Sequence, residues 1–150
     1  MNILGSACLL GAFCRFDGQC AQDARVMALA KDHTLIPVCP EIYGGLPTPR
    51  LPGEKRGGRV YDKSGVDVTE PYARGAQAAL EFAKLTGCRY AVLKERSPSC
   101  GVGMVYDGSF TGKLVPGDGL TAALLQENGI KVLTADRLSE IETCDTEATR

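Results

Sequence analysis

Tryptophan is absent from the chain, aromatic residues make up only 6% of it, and histidine occurs once. So few rings argue against stacking platforms for single-stranded nucleic acid. An excess of charge is missing as well. Seventeen Lys and Arg against eighteen Asp and Glu leave a net charge of -1, which supplies no field for gathering phosphate backbones or anionic lipids. No apolar run approaches the ~18 residues that span a bilayer, and the first residues lack the basic, apolar and small-residue segments of a signal peptide. The expectation is a cytoplasmic protein with no membrane partner and no nucleic acid. The Cys-x-x-Cys pair is also absent, although seven cysteines stand at positions 8, 14, 20, 39, 88, 100 and 144. That spacing excludes zinc ribbons and thioredoxin-type redox motifs. An odd count in a reducing compartment is a poor disulfide framework and a good supply of thiolates.

What is present is ordinary in proportion. With 150 residues, 44% of them hydrophobic and 23% charged, the chain is one domain, 1–150, large enough to bury about two-thirds of its unfolded surface. Residues 1–7 (MNILGSA) read as a buried first strand, and a turn-rich loop follows. Ala21, Ala24, Met27 and Ala28 have helical spacing and predict a helix over 21–31. Residues 35–38 (LIPV) read as a second strand, a reading that Pro37 weakens because proline is awkward in a central strand.

Residues 43–58 hold three prolines and five glycines and are expected to be an irregular functional loop. A small hairpin is expected from 59–61 and 66–68 across Asp62-Lys63-Ser64-Gly65. Thr69 reads as the N-cap of a helix whose apolar stripe (Tyr72, Ala76, Ala79, Leu80, Ala83) runs to Gly87 at C′. Residues 90–93 (YAVL) supply a third strand, 105–114 a hairpin-like insert, 118–128 a helix stopped by Gly129, and 131–133 the last strand. A short helix over 136–142 and a frayed tail over 143–150 complete the reading. Alternation of strands and helices predicts an α/β fold, a doubly wound parallel sheet sandwiched by helices in a single domain.

Ligands of such sheets bind beyond the carboxyl ends of the strands, where strand order reverses. Cys8 follows the first strand, Cys39 the second, and Cys100 lies in the loop after YAVL, so neighbouring strands would bring three thiols to one rim. Soft thiolates there select zinc, copper(I) or iron–sulfur clusters over magnesium or calcium. Taken singly, a free cysteine is commonly a small buried hydrophobe. Cys20, Cys88 and Cys144 keep that reading, whereas Cys14 shares the loop of Cys8 and is open to a role as fourth ligand or supporting thiol.

Six segments carry a resemblance: Ser6-Ala7-Cys8-Leu9-Leu10-Gly11, Arg15-Phe16-Asp17-Gly18, Pro37-Val38-Cys39-Pro40-Glu41, Gly44-Gly45-Leu46-Pro47-Thr48-Pro49-Arg50, Lys94-Glu95-Arg96-Ser97-Pro98-Ser99-Cys100-Gly101 and Val115-Pro116-Gly117-Asp118-Gly119. In order and over nearly the whole chain, they resemble the small bacterial thiouracil desulfurase family. The resemblance implies a [4Fe-4S] cluster bound by three cysteines, Cys8, Cys39 and Cys100, with one open iron. It implies an enzyme that replaces the sulfur of a small-molecule thiolated base or nucleoside, such as 2-thiouracil, by oxygen and releases sulfide without net electron transfer. It also carries catalytic roles to Glu41, as general base for water, and Ser97, as proton relay or hydrogen-bond partner, with Ser99 as an alternative to Ser97. Gly101 and Gly103 are expected to bring backbone amides to the cluster. Two other readings of the thiols are a metal-free persulfide sulfurtransferase and a non-catalytic iron–sulfur carrier.

Overall fold

The computed structural model describes residues 1–142, so the expected tail over 143–150, with Cys144, lies outside the described residues. Four parallel strands form the central sheet: β1 (Asn2–Ser6), β2 (Thr34–Val38), β5 (Tyr90–Val92) and β8 (Lys131–Leu133), in the order β2-β1-β5-β8. Register runs Ile3↔Leu35 to one side of β1 and Ile3↔Tyr90 to the other. Because side chains alternate across a strand, Leu4 and Ile3 face opposite layers. Leu4, Ala91 and Val132 pack against Leu80 and Ala83 of helix α3 (Thr69–Thr86) and Ala122 and Leu125 of α4 (Leu120–Glu127). Ile3, Tyr90, Val92 and Leu133 pack against Val26 of α1 (Ala24–Met27) and against Ala135. The result is the expected sandwich, one sheet with a core on each face.

Strand order reverses between β1 and β5, since the chain steps outward from β1 to β2 and later from β5 to β8 in the other direction. Proline is accommodated at Pro37 because β2 is an edge strand, where a missing donor costs no ladder bond on the open side. Among the described residues no helix is long and apolar enough to cross a membrane.

Several elements differ from the sequence reading. The helix expected over 21–31 is α1 followed by a 3-10 turn, Ala28–Lys31. Its first residues are instead drawn onto the loop after β1, with Ala21 N–H donating to Cys8 O and Asp23 N–H to Leu9 O. The irregular loop over 43–58 contains β3 (Gly53–Arg56), paired antiparallel with β4 (Arg59–Asp62) across Gly57-Gly58. Both glycines have positive φ, 60° and 80°, as a tight two-residue hairpin turn requires. The hairpin expected between 59–61 and 66–68 reduces to a single bridge, Tyr61↔Asp67. Thr69 is inside α3 and not its cap: the N-cap is Val68, and Thr69 Oγ1 accepts from Val60 N–H at 2.8 Å. A short helix, α2 (Pro40–Tyr43), follows Cys39, with Pro40 in its first turn, where the missing N–H costs nothing. The hairpin-like insert expected over 105–114 is present, an antiparallel ribbon of β6 (Met104–Tyr106) with β7 (Leu114–Pro116).

Candidate active site

The loops beyond β1, β2 and β5 enclose a cavity of about 580 Å³ at the carboxyl edge of the sheet. Cys8, Cys39 and Cys100 line it together with Cys14, Glu41 and Ser97. The expected ligands and catalytic candidates therefore share one space. Lys94, Glu95 and Arg96 line it too, and the β3–β4 and β6–β7 ribbons supply Glu54, Lys63, Tyr106 and Phe110 as its outer wall. Glu54 ties the two ribbons together, its Oε1 accepting from Gly108 N–H at 3.0 Å and Phe110 N–H at 3.1 Å.

Each thiol is placed by a different local device. Cys8 is the second residue of a 3-10 turn, Ala7–Leu10, directly after β1, closed by Gly11 at φ 101°. Cys39 is the N-cap of α2. That helix is pressed against α3 through two glycines: a Cβ on Gly75 would stand 1.8 Å from Pro40 O, and one on Gly44 would stand 1.9 Å from Pro71 O. Cys100 closes the turn over 97–100, where Ser97 Oγ accepts from the Ser99 and Cys100 amides, both at 3.0 Å. The first turn of α4 grips the same segment, with Leu120 N–H donating to Pro98 O and Thr121 N–H to Ser99 O.

The thiols feel one another. A hydrogen bond from Cys14 lowers the Cys8 pKa, against burial and against repulsion from Cys100 and Cys39. Cys39 is pushed well up, first by its hydrogen bond to Cys14 and then by burial. Cys14 receives a hydrogen bond from Cys39, which lowers it, yet its own donation to Cys8 and its burial leave it raised. Cys100 is pushed up to about 12, chiefly by burial and then by the Glu41 charge, while hydroxyls of Ser6 and Ser99 oppose the rise. Ser6 was not singled out in the sequence; its Oγ also accepts from Lys94 N–H at 2.9 Å, which fixes the hydroxyl beside Cys100.

Glu41 is held on both oxygens. Tyr72 Oη donates to Oε1, and Arg50 Nη2 donates to Oε2 at 3.1 Å. Arg50 Nη2 also reaches Cys14 O at 2.9 Å, and the Arg50 backbone N–H donates to Phe16 O at 2.8 Å. Arg50 stands in the sequence as the last residue of the segment over 44–50 and Tyr72 as one member of an apolar stripe, and neither was assigned a part. Ser99 is fully buried, its hydroxyl shared with Thr121 Oγ1 at 2.9 Å, and it does not line the cavity. The Gly101 and Gly103 amides, expected to face a cluster, donate instead to Ser97 O and Asp118 Oδ1. Cys88 packs in the core beneath α3, and Cys20 does not line the cavity.

Among the described residues no three His, Cys, Asp or Glu side chains close on a single metal ion. A cluster sets a looser requirement, because each thiolate bonds a separate iron. Three soft donors from three strand ends around one cavity, with hydroxyls beside Cys100, suit such a group by donor chemistry.

The 2-thiouracil desulfurase family model matches residues 3–137. The chain is 40% identical over 149 residues to YbbK of Bacillus subtilis (strain 168), covering 93% of this chain and 99% of that one. It is similar to a solved structure named [4Fe-4S]-dependent thiouracil desulfidase TudS, with 43% identity, a TM-score of 0.88 and coverage of 99% of both chains.

Proposed function

The chain belongs to the 2-thiouracil desulfurase family, and from that premise we propose that it is a [4Fe-4S]-dependent desulfurase. The reaction hydrolyses a thiocarbonyl: thiouracil and water give uracil and hydrogen sulfide, with no net electron transfer. The observation that carries this reading is the meeting of Cys8, Cys39 and Cys100 with Glu41 and Ser97 around one cavity. Cys8, Cys39 and Cys100 would hold the cluster, and Cys14 would support it as a neighbouring thiol. When bound, the cluster supplies a Lewis-acidic iron with an open position that draws electrons out of the C–S bond.

The protein's own groups supply the rest. Glu41 takes the proton of the water that attacks the substrate carbon. Ser97 has its hydroxyl oxygen engaged by two amides, so the part left to it is donation: its O–H orients the substrate and delivers a proton. The ribbon walls, with Tyr106 and Phe110, shield the reacting carbon from bulk water. A net charge of -1 favours a small thiolated base or nucleoside over nucleic acid, and thiols needed in reduced form favour a reducing compartment such as the cytoplasm. Anaerobic reconstitution with iron and sulfide, followed by sulfide release from 2-thiouracil, is the test. Iron-dependent release matching the uracil formed is expected. A colourless protein that passes sulfur to an added thiol would indicate a persulfide enzyme, and a loaded protein that turns nothing over would indicate a carrier.

A further inference from the structure

General bases act through orientation as well as proton affinity, and the carboxylate at the cavity wall is held by two side chains that the substrate cannot touch. Tyr72, from α3, is 2% exposed, and the Arg50 side chain is 5% exposed. Neither lines the cavity. We propose that Arg50 and Tyr72 are positioning residues for catalysis, clamping the two oxygens of Glu41 so that its carboxylate is presented to the attacking water in one orientation. The inference rests on the reading of Glu41 as the base.

The geometry supports a clamp in preference to incidental packing. Glu41 sits in the first turn of a four-residue helix, too short to fix a side chain by itself. Tyr72 takes one oxygen and Arg50 the other, so rotation of the carboxylate breaks a charge-assisted hydrogen bond on whichever side turns away. The backbone around the clamp is fitted to it: a Cβ on Gly53 would lie 2.7 Å from Tyr72 Oη. Burial and the Glu41 charge push the Tyr72 phenol well up, so it remains a donor. Arg50 has a second task. Its Nη2 donates to Cys14 O as well as to Glu41, which binds the loop carrying Cys14 to the turn carrying Glu41, so one guanidinium sets the distance between the thiol loop and the base. A lysine, a point charge without the planar fork, cannot reproduce these contacts together.

The test is a double-mutant cycle on the reconstituted full chain. Tyr72→Phe and Arg50→Lys should each lower kcat by about 10- to 100-fold, as small displacements of a catalytic group do, with KM and iron content unchanged. In a Glu41→Gln background neither substitution should lower kcat further. A second readout is independent of turnover. The infrared carboxylate bands of Glu41, isolated as the wild-type minus Glu41→Gln difference, should shift in Tyr72→Phe. Near-wild-type kcat in both variants, losses that multiply with that of Glu41→Gln, or unshifted carboxylate bands would each overturn the clamp. Normal turnover by Glu41→Gln itself would remove the base reading and the clamp's catalytic role together.

Discussion

Cys88 and Cys100 flank the same strand, are equally buried at 6% exposed and belong to the same apolar cluster, yet their surroundings offer opposite chemistry. Cys88 precedes β5, at the amino edge of the sheet, with Thr86 Oγ1 at 3.2 Å and aliphatic side chains otherwise. Burial pushes its pKa up, as it does that of Cys100. Cys100 follows β5, at the carboxyl edge. It meets the hydroxyls of Ser6 and Ser99, the charge of Glu41 and the thiol of Cys39, and it opens on the cavity. Burial does not separate the two cysteines. The end of the strand does, because in a doubly wound sheet only the carboxyl ends diverge at the point of reversal and leave a crevice.

The comparison breaks most sharply under substitution. Cys8→Ala, Cys39→Ala or Cys100→Ala should each abolish both iron binding and sulfide release, measured by iron content and by sulfide assay after anaerobic reconstitution. Retained iron in the Cys39→Ala protein would point to Cys14 as the ligand. Next in size, Glu41→Gln should keep its iron and lose about 10²- to 10⁴-fold in turnover, the usual contribution of a general base. Gly75→Ala tests how the edge is built. Its new methyl meets Pro40 O, and the overpacking should cost about 1–3 kcal/mol, read as a fall in melting temperature and accompanied by lost turnover as Cys39 and Glu41 shift. Ser97→Ala should slow sulfide release about tenfold, the worth of one hydrogen bond. The smallest effect is expected from Cys88→Ala: about 1 kcal/mol of stability for a small buried side chain, with iron content and turnover as in the wild type.

The sheet was legible because each of its strands is a short apolar run between turn residues, and such runs carry their own signal. The rim was legible for the same reason: once 1–7, 35–38 and 90–93 are strands, Cys8, Cys39 and Cys100 fall at their ends. The hairpin β3–β4 was obscured by the breaker-rich stretch around it, although Gly57-Gly58 between two short runs is a hairpin signal in itself. Gly75 inside a helix pattern was a hint of close backbone approach that the stripe around it concealed. The Glu41 contacts were beyond reach for a different reason. Arg50 lies nine residues from Glu41 and Tyr72 thirty-one, and no local pattern joins a proline-loop cation to a tyrosine on an apolar helix face. The Tyr72 contact exists only through the packing of α2 on α3, and the Arg50 contact only because the loop after α2 folds back on it.

The central claim is that the thiols at the carboxyl edge hold an iron–sulfur cluster on which desulfuration depends. It is tested most directly by preparing the protein anaerobically at graded iron loading and measuring sulfide release from 2-thiouracil against iron bound per chain. The account predicts a rate that rises in proportion to iron, reaches its plateau at about four irons per chain and extrapolates to zero in iron-free protein. Sulfide release that persists at full rate without iron would contradict it.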